Sequence, residues 1–130
     1  MLRRWTGLAA RVRPQWACSL ERRLDALANA AARLPRGPLV PSHRDFYDKQ
    51  VLVGGARDFL LDLDTACLAE PELDAANFVA HLELRELQGR LADPDGAAAE
   101  FLAHYAAAAG APDPARLDFY RSCTRLRLAC

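Results

Sequence analysis

The chain has 130 residues, of which 52% are hydrophobic and 26% are charged, and its formal net charge is zero. This length fits one domain with a core of its own, and the composition is that of a globular rather than a disordered protein. The neutral balance indicates no nucleic-acid partner. No run approaches the roughly 18 consecutive apolar residues of a membrane span, so we expect no membrane partner.

The cysteines are widely spaced and form no C-x-x-C pair, which argues against a zinc site or a disulfide framework. They are Cys18, Cys67, Cys123 and Cys130. We therefore expect reduced thiols and a cytoplasmic protein. The charges are divided along the chain, since residues 1–44 are rich in arginine and residues 45–100 are rich in carboxylates. The acidic block surrounds the candidate site described below and suits a divalent cation.

The chain begins with a segment, residues 1–18, for which the sequence defines no element. Ser19 is a plausible N-cap, and apolar residues then recur at helical spacing from Leu20 to Leu34. Two prolines close this stripe, at positions 35 and 38. The pattern predicts a helix over residues 19–34.

A short apolar hairpin is predicted next. Residues 50–53 and 59–61 have the composition of strands, and Gly54-Gly55 between them is a turn signal. A two-stranded hairpin is not stable alone, so we expect it to lie on the helices.

Three more helices follow. Pro71 suits a first helical turn, and a stripe from Leu73 to Leu87 ends near Gly89. Asp93-Pro94 and Asp113-Pro114 each combine a capping residue with a proline at the first helical position, and each predicts the start of a helix. The sequence thus predicts four helices and one hairpin.

Two motifs flank this hairpin. His43-Arg44-Asp45 is followed, five residues after the aspartate, by the amide Gln50, a pattern close to the H-R-D-x-x-x-x-N catalytic loop of kinases. Leu61-Asp62 then leads through Glu70-Pro71 to Leu73-Asp74-Ala75. Together they resemble the aminoglycoside phosphotransferase and choline kinase-like family. In that family an Ile-Asp metal-binding element leads into a Gly-Asp-Pro-x-x-Asp-Leu-Ala segment, and the resemblance covers roughly residues 20–128.

The resemblance implies the fold. It predicts an α+β, mostly α-helical domain over residues 1–130, a partial C-terminal lobe of the protein-kinase-like fold. The short hairpin would carry the metal site, and the N-terminal lobe would be absent.

The resemblance also implies an activity, the ATP-dependent transfer of a phosphoryl group to a hydroxyl of a small molecule. Asp45 would be catalytic, accepting or orienting the proton of the attacking hydroxyl. Gln50, Asp62 and Asp64 would hold Mg²⁺, a hard ion that takes oxygen ligands. As a neighbour of the site, and not by resemblance, Lys49 would contact a phosphate of the bound nucleotide; the alternative is a solvated pair with Asp48. We expect Asp45, Gln50 and Asp62 to meet at one end of the hairpin.

Two further residues would support the site. By resemblance, His43 braces the loop and Asp74 hydrogen-bonds it. Gln50 departs from the pattern, because asparagine is usual there and an extra methylene moves the amide oxygen. His81 and His104 lie on separate helices without partners at ligand spacing, and we interpret them as ordinary helix residues.

An active kinase also needs a Gly-rich loop over the phosphates and a lysine in its N-terminal lobe. The chain contains no G-x-G-x-x-G and no lysine before Lys49. Three explanations follow: a fragment of a longer phosphotransferase, a half-enzyme completed by another chain or by a second copy of itself, or an inactive kinase-like relic that serves as a binding or structural module. We prefer the fragment.

Two other classes stay open. A metal-dependent hydrolase would use Asp45, Asp62, Asp64 and His43, but it would ordinarily need more ligands than these. A small helical interaction domain would contact a partner through the arginine-rich N-terminal segment with Trp5 and Trp16.

Overall fold

The computed structural model describes residues 1–130. The fold is α+β and mostly helical, as predicted, but it has five α-helices rather than four. The helices are α1 (Leu2–Val12), α2 (Ala17–Arg33), α3 (Glu72–Leu87), α4 (Pro94–Ala109) and α5 (Pro114–Leu128). The strands are β1 (Val40–Ser42), β2 (Val51–Gly54), β3 (Arg57–Leu60) and β4 (Cys67–Ala69).

The additional helix is α1, in the segment for which the sequence defined no element. Its residues are mostly leucine, alanine and arginine, which favour a helix. The hydroxyl of Thr6 also donates to the carbonyl of Leu2 at 3.1 Å. The helix ends at Val12, because Arg13 precedes Pro14 and proline disfavours helical geometry in the residue before it.

Helix α2 begins two residues before the predicted cap. It starts at Ala17 after a short 3₁₀ turn, so Ser19 lies inside the helix and its prediction as N-cap is wrong. The predicted end is nearly correct. Leu34 is extended, with φ −78° and ψ 126°, because Pro35 follows it.

Both predicted Asp-Pro starts are confirmed. The carboxylate of Asp93 accepts from the backbone N–H of Gly96 at 2.8 Å, and that of Asp113 accepts from the N–H of Arg116 at 2.9 Å. Each bond satisfies one of the free N–H groups in the first turn of its helix.

The chain forms two small antiparallel sheets. Strands β2 and β3 form the predicted hairpin, in which Val51 pairs with Leu60. The second sheet was not predicted, and it joins β1 to β4 with Val40 opposite Ala69. It brings the segment before the His-Arg-Asp loop beside the segment that leads into α3.

Helix α3 is central and packs against both α4 and α5. Its buried hydrophobic residues are small, which lets the helices approach closely: Ala75, Ala76, Val79 and Ala80. The ring of Phe46, just after the loop, stacks on Phe78 of α3, which stacks in turn on Phe101 of α4. The loop is therefore anchored to the helical core by an aromatic side chain.

A second cluster joins the N-terminal helices to the last helix. Ala9 of α1, Leu20 of α2 and Leu126 of α5 are buried together. This packing places α1 next to the C-terminal part of α5. None of the five helices combines the length and the apolar character that crossing a bilayer requires.

Candidate active site

The His-Arg-Asp loop is held by one carboxylate of α3. Asp74 accepts from the backbone N–H of His43 at 2.6 Å with one oxygen and from that of Arg44 at 2.7 Å with the other. Arg44 has a φ of 72°, a left-handed conformation that is unfavourable for residues other than glycine. The two charge-assisted bonds stabilise this turn.

The ring of His43 connects the loop to the hairpin. Its Nδ1 accepts from the N–H of Asp45 at 3.3 Å, and its Nε2 donates to the carbonyl of Leu61 at 2.7 Å. The carbonyl of His43 accepts from the hydroxyl of Thr65 at 3.1 Å. His43 is buried, and both ring nitrogens are used within the protein, so neither is left for a substrate.

The side chain of Asp45 is paired with an arginine of α5. Its Oδ1 accepts from Nη1 of Arg127 at 2.8 Å, and Nη2 of Arg127 donates to Oδ1 of Asn77 at 2.7 Å. Asn77 also donates to the carbonyl of Phe46 at 2.8 Å. This network fixes Asp45 between α3 and α5. Oδ2 of Asp45 has no hydrogen-bond partner.

Of the three residues expected to meet at the end of the hairpin, two are in contact. The amide of Gln50 donates to Asp62 at 3.4 Å, whereas Asp45 bonds to neither. The backbone carbonyl of Gln50 also accepts from Leu61 N–H at 2.8 Å, which aligns the two segments. Asp62 has a φ of 57° and a ψ of 58°, so the chain turns sharply at this residue.

The donor set at this end of the hairpin suits magnesium chemically. Asp62 and Asp64 have carboxylate oxygens and Gln50 has an amide oxygen, and oxygen atoms are the ligands that Mg²⁺ prefers. Both carboxylates are exposed. The structure contains no group of three or more histidine, cysteine, aspartate or glutamate side chains close enough together to hold a metal ion, so the amide of Gln50 would be needed beside the two carboxylates.

Lys49, expected to reach a phosphate because it neighbours the site, is exposed and forms no ion pair. Its neighbour Asp48 pairs instead with Arg85 of α3, with bonds of 2.9 and 3.0 Å. This leaves the ammonium group of Lys49 free in solvent.

A cavity of about 590 Å³ opens beside the loop. Its volume lies in the range of small-molecule sites. Its polar lining includes Arg44, Asp45, Thr65, Asn77, Thr124 and Arg127, and its apolar and aromatic lining includes Met1, Leu2, Trp5, Tyr47, Leu73 and Leu128. The N-terminal helix α1 thus forms part of the wall opposite the loop.

His81 also borders this cavity. It is 8% exposed, its ring stacks on Tyr47 with centroids 4.3 Å apart, and neither ring nitrogen has a hydrogen-bond partner. Burial, with a further contribution from the charge of Arg127, lowers the pKa of His81 below its usual 6.5. The ring is therefore neutral at neutral pH.

Sequence reasoning missed Arg127 and Asn77, and it interpreted His81 as an ordinary helix residue. For two of them a signal exists, because Asp74, Asn77 and His81 are spaced by three and four residues and so share one face of α3. For Arg127 there is no local signal, since 82 residues separate it from Asp45.

Comparison with known proteins identifies the family. A family model described as the phosphotransferase enzyme family matches residues 2–120. No curated protein and no solved structure matches the chain significantly.

Proposed function

Because the chain belongs to the phosphotransferase enzyme family, we propose that it takes part in ATP-dependent transfer of a phosphoryl group to a hydroxyl of a small molecule. The observation that carries this proposal is the position of Asp45. Its loop is fixed by Asp74 and His43, its Oδ1 is held by Arg127, and its Oδ2 is free beside a cavity of small-molecule size.

The proposed role of Asp45 is to orient the acceptor hydroxyl and to take its proton. The hydroxyl oxygen forms a bond to the γ-phosphorus of ATP, and the bond from that phosphorus to the β,γ-bridging oxygen breaks. ADP leaves, and the hydroxyl proton passes to Oδ2 of Asp45. The bond from Arg127 to Oδ1 keeps the carboxylate in one orientation throughout.

Mg²⁺ and ATP are part of the proposal because the family generally uses them. Gln50, Asp62 and Asp64 would hold the ion, which neutralises charge on the phosphates. Lys49 would contribute a free ammonium group to the nucleotide. The carboxylate oxygens of Asp62 and Asp64 and the amide oxygen of Gln50 support this assignment, and the hydrogen bond from Nε2 of Gln50 places its side chain beside Asp62. Since the reaction consumes ATP, we place the protein in the cytoplasm.

The nucleotide would also need contacts that this chain lacks, because it has no Gly-rich loop. We propose that another segment or a second chain completes the donor side. The hairpin supports this proposal, since its large apolar side chains are exposed: Leu52, Val53, Phe59 and Leu60. Exposed apolar surface of this kind commonly marks an interface.

A second candidate is a catalytically inactive kinase-like module that binds a partner or serves a structural role. The observation that favours it is the same Asp45–Arg127 bond, because an arginine on the carboxylate competes with a substrate hydroxyl. Nucleotide binding alone would not separate a slow enzyme from an inactive module, so binding and turnover must both be measured.

The first experiment is calorimetric titration of the chain with ATP, with and without Mg²⁺. Asp62→Asn is the test variant and Asp58→Asn the matched control, since both aspartates are exposed and Asp58 lies on β3 of the same hairpin. We expect binding that requires Mg²⁺, is lost in Asp62→Asn and is retained in Asp58→Asn. Absence of binding at millimolar ATP would contradict the phosphotransferase proposal for this chain.

A further inference from the structure

The walls of the cavity beside Asp45 are largely apolar, which is unusual for a site that would bind a sugar or a polyamine. Leu2 and Trp5 of α1, Leu73 of α3 and Leu128 of α5 contribute apolar surface, and Tyr47 contributes an aromatic ring. Such walls bind the body of a ligand by removing apolar area from water. On these walls a ligand with many hydroxyl or amino groups would lose hydration without gaining partners, because the polar side chains lie only on part of the lining.

The charges of the lining side chains also argue against a ligand rich in amino groups. Asp45 is the only carboxylate side chain in its lining, and Arg127 already pairs with it. Arg44 also lines the cavity and forms no ion pair. His81 adds no negative charge and, because its pKa is lowered by burial, no positive charge at neutral pH. The lining side chains therefore carry a net positive charge.

A cationic acceptor would meet two guanidinium groups, and the one carboxylate side chain in the lining already accepts from Arg127. At distances of a few ångströms, like charges near a protein surface repel each other. An anionic group would instead find Arg44 unpaired. Arginine suits this role because its guanidinium can bind a carboxylate or phosphate with two parallel hydrogen bonds.

Building on the proposed phosphotransfer activity, we propose that the acceptor is a hydroxyl compound with an apolar or aromatic body and no positive charge. Its body would lie against Trp5, Tyr47 and Leu73, and its hydroxyl would face Oδ2 of Asp45. A negative group, where present, would pair with Arg44. The inference excludes polycationic aminoglycosides as acceptors.

The test is a binding measurement without nucleotide, so that it does not depend on turnover. Three probes share a phenyl ring and a hydroxyl and differ in charge: 3-phenyllactate, 3-phenylpropane-1,2-diol and 2-amino-3-phenyl-1-propanol. Kanamycin serves as a polycation. We expect the anion and the neutral diol to bind at least about tenfold more tightly than the amine, which corresponds to about 1.4 kcal/mol, and no binding of kanamycin.

Tryptophan fluorescence localises the binding. Trp5 and Trp16 are 44% and 45% exposed, but Trp16 does not line the cavity. In Trp16→Phe the remaining Trp5 should respond to the diol, and in Trp5→Phe the remaining Trp16 should not. A response of Trp16 alone would place the ligand elsewhere and overturn the proposal.

Charge selectivity is tested with Arg44→Gln. This variant should reduce the preference for 3-phenyllactate over the amine to less than about threefold, because it removes the unpaired cation. Arg57→Gln is the control, since Arg57 lies at the far end of the hairpin from this cavity. It should leave the preference unchanged. An unchanged preference in Arg44→Gln would show that this arginine does not select the ligand.

The failure of this inference can be told apart from that of the proposed function. Tight binding of kanamycin, or equal binding of all three phenyl compounds, would overturn the acceptor class and leave Mg²⁺-dependent ATP binding intact. Absence of binding for every probe would likewise overturn it. A protein that did not bind ATP but still bound the diol would overturn the phosphotransferase proposal. The selectivity of the cavity would then remain.

Discussion

Arg127, in the last turn of α5, donates a hydrogen bond of 2.8 Å to the carboxylate of Asp45. The same guanidinium donates to Asn77 of α3. Asn77 in turn donates to the backbone carbonyl of Phe46, just after the loop. The candidate catalytic carboxylate therefore depends on a helix that is distant in sequence. Loss of α5 packing would release it.

We expect Arg127→Gln to lower the free energy of unfolding by about 1.5 kcal/mol, because hydrogen bonds to charged groups contribute about this much. The substitution removes the bond to Asp45 and weakens the bond to Asn77. Urea denaturation followed by circular dichroism measures the change.

Arg125→Gln is the matched control, since Arg125 lies two residues away on the same helix. Its partner Glu83 is also paired with Arg121, and the side chain of Arg125 is 49% exposed. We expect a change below about 0.5 kcal/mol, as for most exposed ion pairs. Equal effects of the two substitutions would argue against a special role for the Asp45–Arg127 bond.

The two hydrogen bonds from the loop to Asp74 predict a loss of stability for Asp74→Asn. An amide has one acceptor oxygen, so it can satisfy the N–H of His43 or that of Arg44 but not both. An unsatisfied buried donor costs about 1 to 3 kcal/mol. We expect a loss of stability in that range, with faster hydrogen exchange at one or both of these amides.

Asp93→Asn provides the comparison for this prediction. Asp93 is an exposed N-cap, and asparagine caps helices about as well as aspartate. The free energy of unfolding of Asp93→Asn should differ from that of the parent by less than about 0.5 kcal/mol. If exchange at residues 43 and 44 stayed slow in Asp74→Asn, the loop would be held mainly by His43.

His81 predicts a pH dependence. Because burial and the charge of Arg127 lower its pKa in the folded state, the unfolded chain binds a proton more readily. The free energy of unfolding should therefore fall as pH decreases from about 6.5 toward the folded pKa, by at most about 1.4 kcal/mol per pH unit. Urea titrations between pH 5 and 7 measure this slope.

His81→Phe keeps an aromatic ring against Tyr47 and should remove this part of the slope. His104→Phe is the control, because His104 is exposed on α4 and its side chain forms no hydrogen bond or ion pair. It should leave the slope unchanged. A slope that persisted in His81→Phe would assign the pH dependence to other groups.

Two glycines should respond differently to alanine. In Gly7→Ala the new Cβ meets no atom within 4 Å, so the substitution should stabilise α1 by about 0.5 to 1 kcal/mol. In Gly96→Ala the Cβ would lie 2.8 Å from Cγ of Asp93, displacing the carboxylate that caps α4.

A lost cap costs about 1 kcal/mol, so we expect Gly96→Ala to be about 1 kcal/mol less stable than Gly7→Ala. Thermal denaturation of both variants beside the parent gives the difference. Equal stabilisation by both would show that Asp93 contributes little to α4.

The sequence by itself predicted the features that depend on neighbouring residues. Asp93-Pro94 and Asp113-Pro114 marked helix starts correctly, because a cap and a proline act on the first turn alone. Gly54-Gly55 located the hairpin to within one residue, since Gly54 ends β2 and the two turn residues are Gly55 and Ala56. The motif around Asp45 and Asp62 identified the family, which the match over residues 2–120 confirms.

Only the tertiary structure decided which side chains meet. The sequence pattern predicted that Asp45, Gln50 and Asp62 meet. In the fold, Asp45 pairs with Arg127, and Gln50 contacts only Asp62 of these residues. Helix α1 was missed because, although its residues favour a helix, no capping side chain marks its start, and its packing on α2 and α5 is not visible in the sequence. Contacts between residues far apart in sequence depend on how helices pack, and no local pattern of residues encodes that packing.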